Sequence, residues 1–146
     1  MVDDLYQEII IDHSKRPRNH HTMDDATCKA DGYNPLCGDK LKLFLKVEGD
    51  VVRDVSFIGA GCAISTASAS LMTESLKGKT RGEALALLDK FHELLTTDAE
   101  ISQDLGKLVV FSGVREYPAR VKCATLAWHT LKSALAGNPV EPVSTE

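Results

Sequence analysis

Lysine and leucine alternate along residues 40–47, and this pattern limits the possible folds more than any other stretch of the chain. Side chains of a β-strand point to opposite faces in turn, so the alternation predicts a strand with one buried and one solvent-exposed face. A short turn at Glu48–Asp50 then leads into a second strand, VVRDVSFI, that returns beside the first. The buried side of the first strand is expected to carry Leu41, Leu43, Leu45 and Val47. The opposite side carries lysines, with Phe44 as the one apolar exception.

A third strand is predicted before this pair, in the segment TCKADGYN, and a helix that ends before Pro17 precedes it. After Gly61 the periodicity becomes helical. Thr80 and Glu83 form the pattern of a capping box, a shorter helix is expected around DLGKLVVF, and Pro118 suits the first turn of a last helix. The chain is therefore predicted to be α+β, with a small antiparallel sheet of about three strands packed on one face by several helices. One domain is expected over residues 1–137, followed by a flexible tail at 138–146.

The segment GAGCAISTASASLM, residues 59–72, consists almost entirely of small side chains around a single cysteine. On a helix, an apolar face is expected from Ile64, Ala67, Leu71, Met72 and Leu76, with Thr66, Ser70, Thr73 and Lys77 on the opposite side. Small residues allow a helix to approach its neighbours closely. Cys62 itself has three possible roles, namely core packing, nucleophilic attack and metal binding.

Composition excludes several classes of function. The formal net charge of −4 argues against a nucleic-acid partner, which usually requires a basic face. No run approaches the roughly 18 apolar residues of a membrane span, and the acidic start MVDDLYQE is unlike a signal peptide. We therefore expect a cytoplasmic protein, in which thiols stay reduced.

Three of the four cysteines lie where a shared thiolate site could form. Cys37 precedes Gly38 and Asp39 at the start of the first long strand, and Cys62 precedes a helix whose N-terminal dipole favours a thiolate. Cys123 lies in the first turns of the last helix. Zinc accepts Cys sulfur and Asp oxygen in tetrahedral geometry, so Cys37, Asp39, Cys62 and Cys123 would complete four ligands.

Other roles for these residues stay open at this point. Each cysteine could simply be a small buried side chain, which is the role we expect for Cys28. A cysteine hydrolase would need a thiolate–imidazole pair, and the five histidines show no such pattern. His92 and His129, for example, lie on predicted helices rather than in loops with turn signals.

Four segments nevertheless occur in an order typical of one family: LYQEIIIDHSKRPRN, NPLCGD, GAGCAISTASASLM and RVKCATLAW. Together they resemble the SufU/IscU family of U-type iron–sulfur cluster assembly proteins, from Leu5 to the last helix. The resemblance implies a compact α+β fold in which Cys37, Asp39, Cys62 and Cys123 converge on one site. Cys28 matches no motif position of the family.

Three departures resemble the SufU branch rather than the cluster-scaffold branch. Lys122 stands where the scaffolds have a histidine, and EYPARVK replaces their Leu-Pro-Pro-Val-Lys chaperone-docking motif. The 61 positions between Cys62 and Cys123 also exceed the scaffold spacing. Members of the SufU branch bind zinc and accept sulfur from a cysteine desulfurase.

The resemblance therefore implies a zinc-dependent sulfur acceptor of the sulfurtransferase type. Cys37 would take persulfide sulfur from a cysteine desulfurase for downstream iron–sulfur assembly proteins, and Arg120 would contact the partner or steady a thiolate. One alternative is a non-enzymatic scaffold on which an iron–sulfur cluster is assembled and passed to apo-proteins. Another is a purely structural zinc domain.

Overall fold

The computed structural model describes residues 2–35, 38–96, 103–136 and 143–144. Its helices and strands follow one another as α1 (Val2–Lys15), β1 (Cys28–Asn34), β2 (Asp39–Glu48), β3 (Val51–Ala60), α2 (Ala63–Leu76), α3 (Arg81–Thr96), a 3-10 segment (Gln103–Glu116), α4 (Pro118–Leu135) and β4 (Val143–Ser144). The predicted order of a helix, three strands and several helices is confirmed.

The sheet has the strand order β3-β2-β1-β4. β2 pairs antiparallel with both β1 and β3, which confirms the predicted three-stranded antiparallel core. The two residues of β4 extend it in parallel beside Gly32 and Tyr33. They belong to the stretch predicted to be a flexible tail, and the division of the chain at residue 137 stays a prediction.

The alternation along β2 has the predicted consequence. Leu41, Leu43 and Leu45 are buried on the face that meets the helices, whereas Lys40 and Lys42 are exposed. Phe44, the exception, is also buried, and the amino group of Lys29 lies 5.8 Å from its ring centre. The face of the sheet that the helices cover is therefore apolar apart from Asn34 and Asp39 at one end.

Aromatic side chains fill the core between α3, the 3-10 segment and α4. Trp128 stacks on Phe91 at 4.6 Å between ring centres, and Phe111 meets Phe91 edge-on at 5.7 Å. The buried side of α3 carries Ala84, Leu87, Leu88, Phe91, Leu94 and Leu95. The predicted capping box is present in both directions: the Glu83 amide donates to Thr80 Oγ1 (3.1 Å), and the Thr80 amide donates to Glu83 Oε1 (3.0 Å). The helix expected around DLGKLVVF is a longer 3-10 segment interrupted at Gly106.

The polar side predicted for α2 is wrong for two residues. Ser70 and Thr73 are fully buried, because α2 packs between α1, α4 and β3 rather than at the surface. Ser70 Oγ contacts His13 Nδ1 at 2.7 Å, and Thr73 Oγ1 accepts a hydrogen bond from the Asn19 side chain at 2.9 Å. α2 is therefore the central helix of the molecule. None of the helices in the described ranges is both long and apolar enough to cross a membrane.

Candidate metal centre

Three of the four predicted ligands meet at one end of the sheet. Asp39 is the first residue of β2, Cys62 immediately precedes α2, and Cys123 lies in the second turn of α4. One ligand atom from each of them lies within 4.8 Å of the others. Within the described part of the chain these residues form the one cluster of this kind.

Two glycines allow this approach. Gly38 has φ +71°, a left-handed conformation that turns the chain sharply into β2 just before Asp39. Gly61 lies so close to Asp39 that a Cβ atom at position 61 would be 2.5 Å from Oδ1 and 3.0 Å from Cγ. The start of α2 therefore reaches the carboxylate because residue 61 has no side chain.

The Asp39 carboxylate is fully buried and oriented by two neighbours. Its Oδ1 accepts a hydrogen bond of 2.8 Å from the Cys62 amide, and its Oδ2 lies 3.5 Å from the Asn34 side-chain nitrogen and 4.0 Å from Cys62 Sγ. No lysine or arginine of the described residues forms an ion pair with it. A buried carboxylate is costly without a compensating positive charge, so its environment favours a cation between it and the two sulfurs.

Cys62 occupies the N-cap position of α2, as the sequence predicted. Its Sγ accepts a hydrogen bond from the Ser65 amide at 3.4 Å, and its carbonyl accepts from the Thr66 amide at 3.1 Å. The helix dipole places partial positive charge at this end, beside the sulfur. Cys62 is half-buried, so its sulfur is the accessible one of the described pair.

Cys123 is buried on α4, one residue before Ala124, which contacts α2. The two helices come close because their contact is made by small residues. Ser68 Oγ donates to the Ala124 carbonyl at 2.5 Å and accepts from the Trp128 ring nitrogen at 3.2 Å. The small side chains of GAGCAISTASASLM thus serve packing, and that packing brings two cysteines to one point.

The donor set fits a tetrahedral metal ion. Zinc–sulfur bonds of about 2.3 Å and zinc–oxygen bonds of about 2.0–2.2 Å place neighbouring ligand atoms roughly 3.5–3.8 Å apart. The Cys62 Sγ to Asp39 Oδ2 distance of 4.0 Å is close to that range, and the cluster as a whole lies within 4.8 Å. Shifts of about 1 Å or less would bring the three atoms to bonding positions.

The cluster of three does not include every residue predicted for the site. Cys37, together with Leu36, is outside the described residues. Arg120 is exposed and lines a groove of about 460 Å³ with residues of α1 and the 3-10 segment, and its predicted role beside the site stays a prediction. Cys28 packs against the core at the other end of β1, roughly 20 Å from Asn34 at about 3.3 Å per residue.

No histidine of the described chain joins the three ligands. His92 and His129 meet edge-on at 5.9 Å between α3 and α4, where burial foremost, then His92 and Lys132, lower the pKa of His129. His13 is buried between α1 and α2.

Two residues of this site were missed by the sequence reasoning. Asn34, which contacts both Asp39 and Cys123, stands directly before Pro35 in NPLCGD and looked only like a turn signal. Gly61 was noted only as the residue after which the periodicity becomes helical. In both cases the signal lay inside a motif already singled out, but their contacts with Asp39 appear only in three dimensions.

Comparison with known proteins gives one consistent result. The family model described as the NifU-like N terminal domain matches residues 5–136. The chain is 43% identical over 136 residues to the zinc-dependent sulfurtransferase SufU of Bacillus subtilis, covering 92% of both chains. It is 42% identical over 135 residues to the iron–sulfur cluster assembly scaffold protein IscU of Streptococcus pyogenes, covering 92% of this chain and 84% of that protein.

Among solved structures, a candidate iron–sulfur cluster assembly scaffold protein for the SUF system from Fervidobacterium islandicum superposes with a TM-score of 0.84 at 38% identity. The match covers 92% of this chain and 99% of that one. The family match over residues 5–136 includes Asp39, Cys62 and Cys123. The chain therefore belongs to the NifU-like N-terminal domain family, which includes the SufU and IscU proteins, and it resembles the SufU branch.

Proposed function

We propose that this protein binds zinc through Cys37, Asp39, Cys62 and Cys123 and accepts persulfide sulfur from a cysteine desulfurase. The observation that carries the proposal is the meeting of Asp39, Cys62 and Cys123 within 4.8 Å around a buried carboxylate. The SufU relative, described as a zinc-dependent sulfurtransferase, supports zinc as the metal. Because the site needs reduced thiols, we place the protein in the cytosol.

Cys37 is proposed as the sulfur acceptor and as the fourth ligand. It is separated from Asp39 only by Gly38, and two consecutive Cα–Cα steps of about 3.8 Å keep any such residue near the carboxylate. Gly38, with φ +71°, has a left-handed backbone conformation that residues other than glycine rarely adopt. A bound zinc ion would hold the cysteines as thiolates and mask their nucleophilicity.

Sulfur transfer itself is a thiol exchange. The Cys37 thiolate attacks the terminal sulfur of the desulfurase persulfide, a new S–S bond forms on Cys37, and the S–S bond of the donor breaks. The donor cysteine leaves as a thiolate, so no oxidant or reductant is consumed. Asp39, Cys62 and Cys123 keep the site assembled, because all three are positioned by secondary structure rather than by the Cys37 segment.

The test combines metal analysis with a desulfurase assay. The purified protein is expected to contain about one zinc per chain and to stimulate cysteine turnover by the desulfurase of the same organism. Cys37→Ala should abolish the stimulation, whereas Cys28→Ala, a control at the far end of β1, should retain it. Full stimulation by Cys37→Ala would refute the assignment of the acceptor.

A scaffold role is the second candidate, favoured by the IscU relative at 42% identity. Thiolates are also the ligands of iron–sulfur clusters, and Cys62 and Cys123 are close enough to bind the same cluster. Anaerobic reconstitution with iron and sulfide separates the two functions. A stable cluster that is transferred to an apo-ferredoxin would favour the scaffold, whereas a zinc-loaded protein that forms no such cluster favours the sulfur acceptor.

A further inference from the structure

Asn34 is a buried amide that contacts two ligands at once. It is the last residue of β1, lies directly opposite Asp39 in the β1–β2 register, and is fully inaccessible to solvent. Its side-chain nitrogen is 3.5 Å from Asp39 Oδ2 and 3.6 Å from Cys123 Sγ. An amide NH₂ group carries two hydrogens, so both contacts can be made at the same time.

The chemistry of this contact suits a metal centre better than the alternatives would. A lysine at this position would neutralise the carboxylate and compete with the metal ion. An apolar side chain would leave Asp39 Oδ2 with one polar neighbour fewer in a buried site. The neutral amide donates to both ligands while leaving their negative charge for the cation.

We propose that Asn34 is a positioning residue for the metal centre. Its side-chain amide contacts both the Asp39 carboxylate on β2 and the Cys123 sulfur on α4. Asn34 thereby holds the two ligands in the binding arrangement before metal binds. This inference rests on the proposed metal site, although it requires no sulfur transfer. Removing such an outer partner typically lowers metal affinity about 10- to 100-fold.

The test is Asn34→Leu in the full-length protein, since leucine has a similar size but no donor. Zinc affinity is measured by competition with a chromophoric chelator, and the metal-free protein is unfolded in urea. The matched control is Thr130→Val, which removes another fully buried polar group at the contact of α4 with β1, where Thr130 Oγ1 donates to the Leu126 carbonyl.

We expect Asn34→Leu to weaken zinc binding about 10- to 100-fold, whereas Thr130→Val stays within about threefold of wild type. Cobalt(II) substitution gives a second readout. The intense visible bands of tetrahedral thiolate coordination should weaken or shift in Asn34→Leu and remain unchanged in Thr130→Val. A structural role alone would change stability in both variants and the cobalt spectrum in neither.

Zinc affinity within threefold of wild type in Asn34→Leu would overturn the proposal. Should metal-free Asn34→Leu fail to fold, Asn34→Ala, which removes the donor by truncation, decides by the same criterion. A wild-type protein that binds no zinc would instead refute the proposed metal site. A protein that binds zinc through Asn34-dependent ligands without stimulating the desulfurase would refute only the sulfur-transfer function.

Discussion

Gly61→Ala places one methyl group against the buried carboxylate of the site. The new Cβ would lie 2.5 Å from Asp39 Oδ1, which is too close for atoms that are not bonded, and at the tight distances of 3.0 Å from Cγ and 3.2 Å from Cβ. Either the carboxylate or the start of α2 must move, and both movements break the 2.8 Å hydrogen bond from the Cys62 amide to Oδ1. The change therefore acts on two ligands at once.

The size of the effect follows from these contacts. Overpacking in a buried site costs about 1–3 kcal/mol, and a lost hydrogen bond to a charged group about 1.5–3 kcal/mol. Because part of the strain is relieved by the movement, we expect the free energy of unfolding of the metal-free protein to fall by about 2–4 kcal/mol. Zinc affinity should fall about 10- to 100-fold as Asp39 leaves its position.

Urea unfolding and zinc competition measure the two effects, and a second glycine supplies the control. Gly82 is exposed in the first turn of α3, and a Cβ there would meet only Thr80 Oγ1 at 3.9 Å. Gly82→Ala should therefore stabilise the protein by about 0.5–1 kcal/mol through its helix propensity. The same change is thus expected to have opposite signs at the two positions.

A double-mutant cycle identifies the carboxylate as the cause. In an Asp39→Ala background the two closest contacts are gone, so Gly61→Ala should destabilise the protein much less than in wild type. Wild-type stability and zinc affinity in Gly61→Ala, or an unchanged loss in the Asp39→Ala background, would refute the reasoning.

Further predictions concern pH, capping and metal removal. Burial foremost, then the charge of Arg18, lowers the pKa of His13 from 6.5, while Glu74 opposes the shift. As the pH falls, the unfolded chain therefore binds the proton before the folded protein does, so the urea midpoint should decrease below about pH 6.5. The decrease should be less steep in His13→Gln. Thr80→Ala removes the capping box and should lower the free energy of unfolding by about 1 kcal/mol, read from the urea midpoint. A chelator should destabilise the zinc-loaded protein by about 2.7 kcal/mol if free zinc was at 100 times its Kd, and should leave the midpoint of Asp39→Ala unchanged.

Local sequence patterns predicted most of this fold because each pattern depends only on interactions between neighbouring residues. Alternation along β2 follows from the two faces of a strand, and the Thr80–Glu83 pair follows from the unpaired amides at a helix start. Two of the three clustered ligands also follow from local context, since Asp39 begins β2 and Cys62 immediately precedes α2. These features need no knowledge of distant residues.

The predictions that failed concern residues whose surroundings depend on distant parts of the chain. Ser70 and Thr73 were predicted on the polar side of α2, but helices packed on both sides of α2 bury them against His13 and Asn19. The residue type of a serine or threonine does not reveal whether its hydroxyl group contacts solvent or a buried partner. Asn34 escaped notice for the same reason, because its role depends on Cys123, 89 residues further along the chain.

That separation has a consequence for how the protein is loaded with metal. Asp39 and Cys62 are 23 residues apart, and Cys123 joins them only when α4, the last helix, has docked on β1 and α2. Contacts between such distant segments form late, since they require the closure of long loops. During synthesis, the complete site cannot exist until almost the whole domain has emerged and folded, so tight zinc uptake reports a finished fold and a nascent chain has no high-affinity site for stray metal ions.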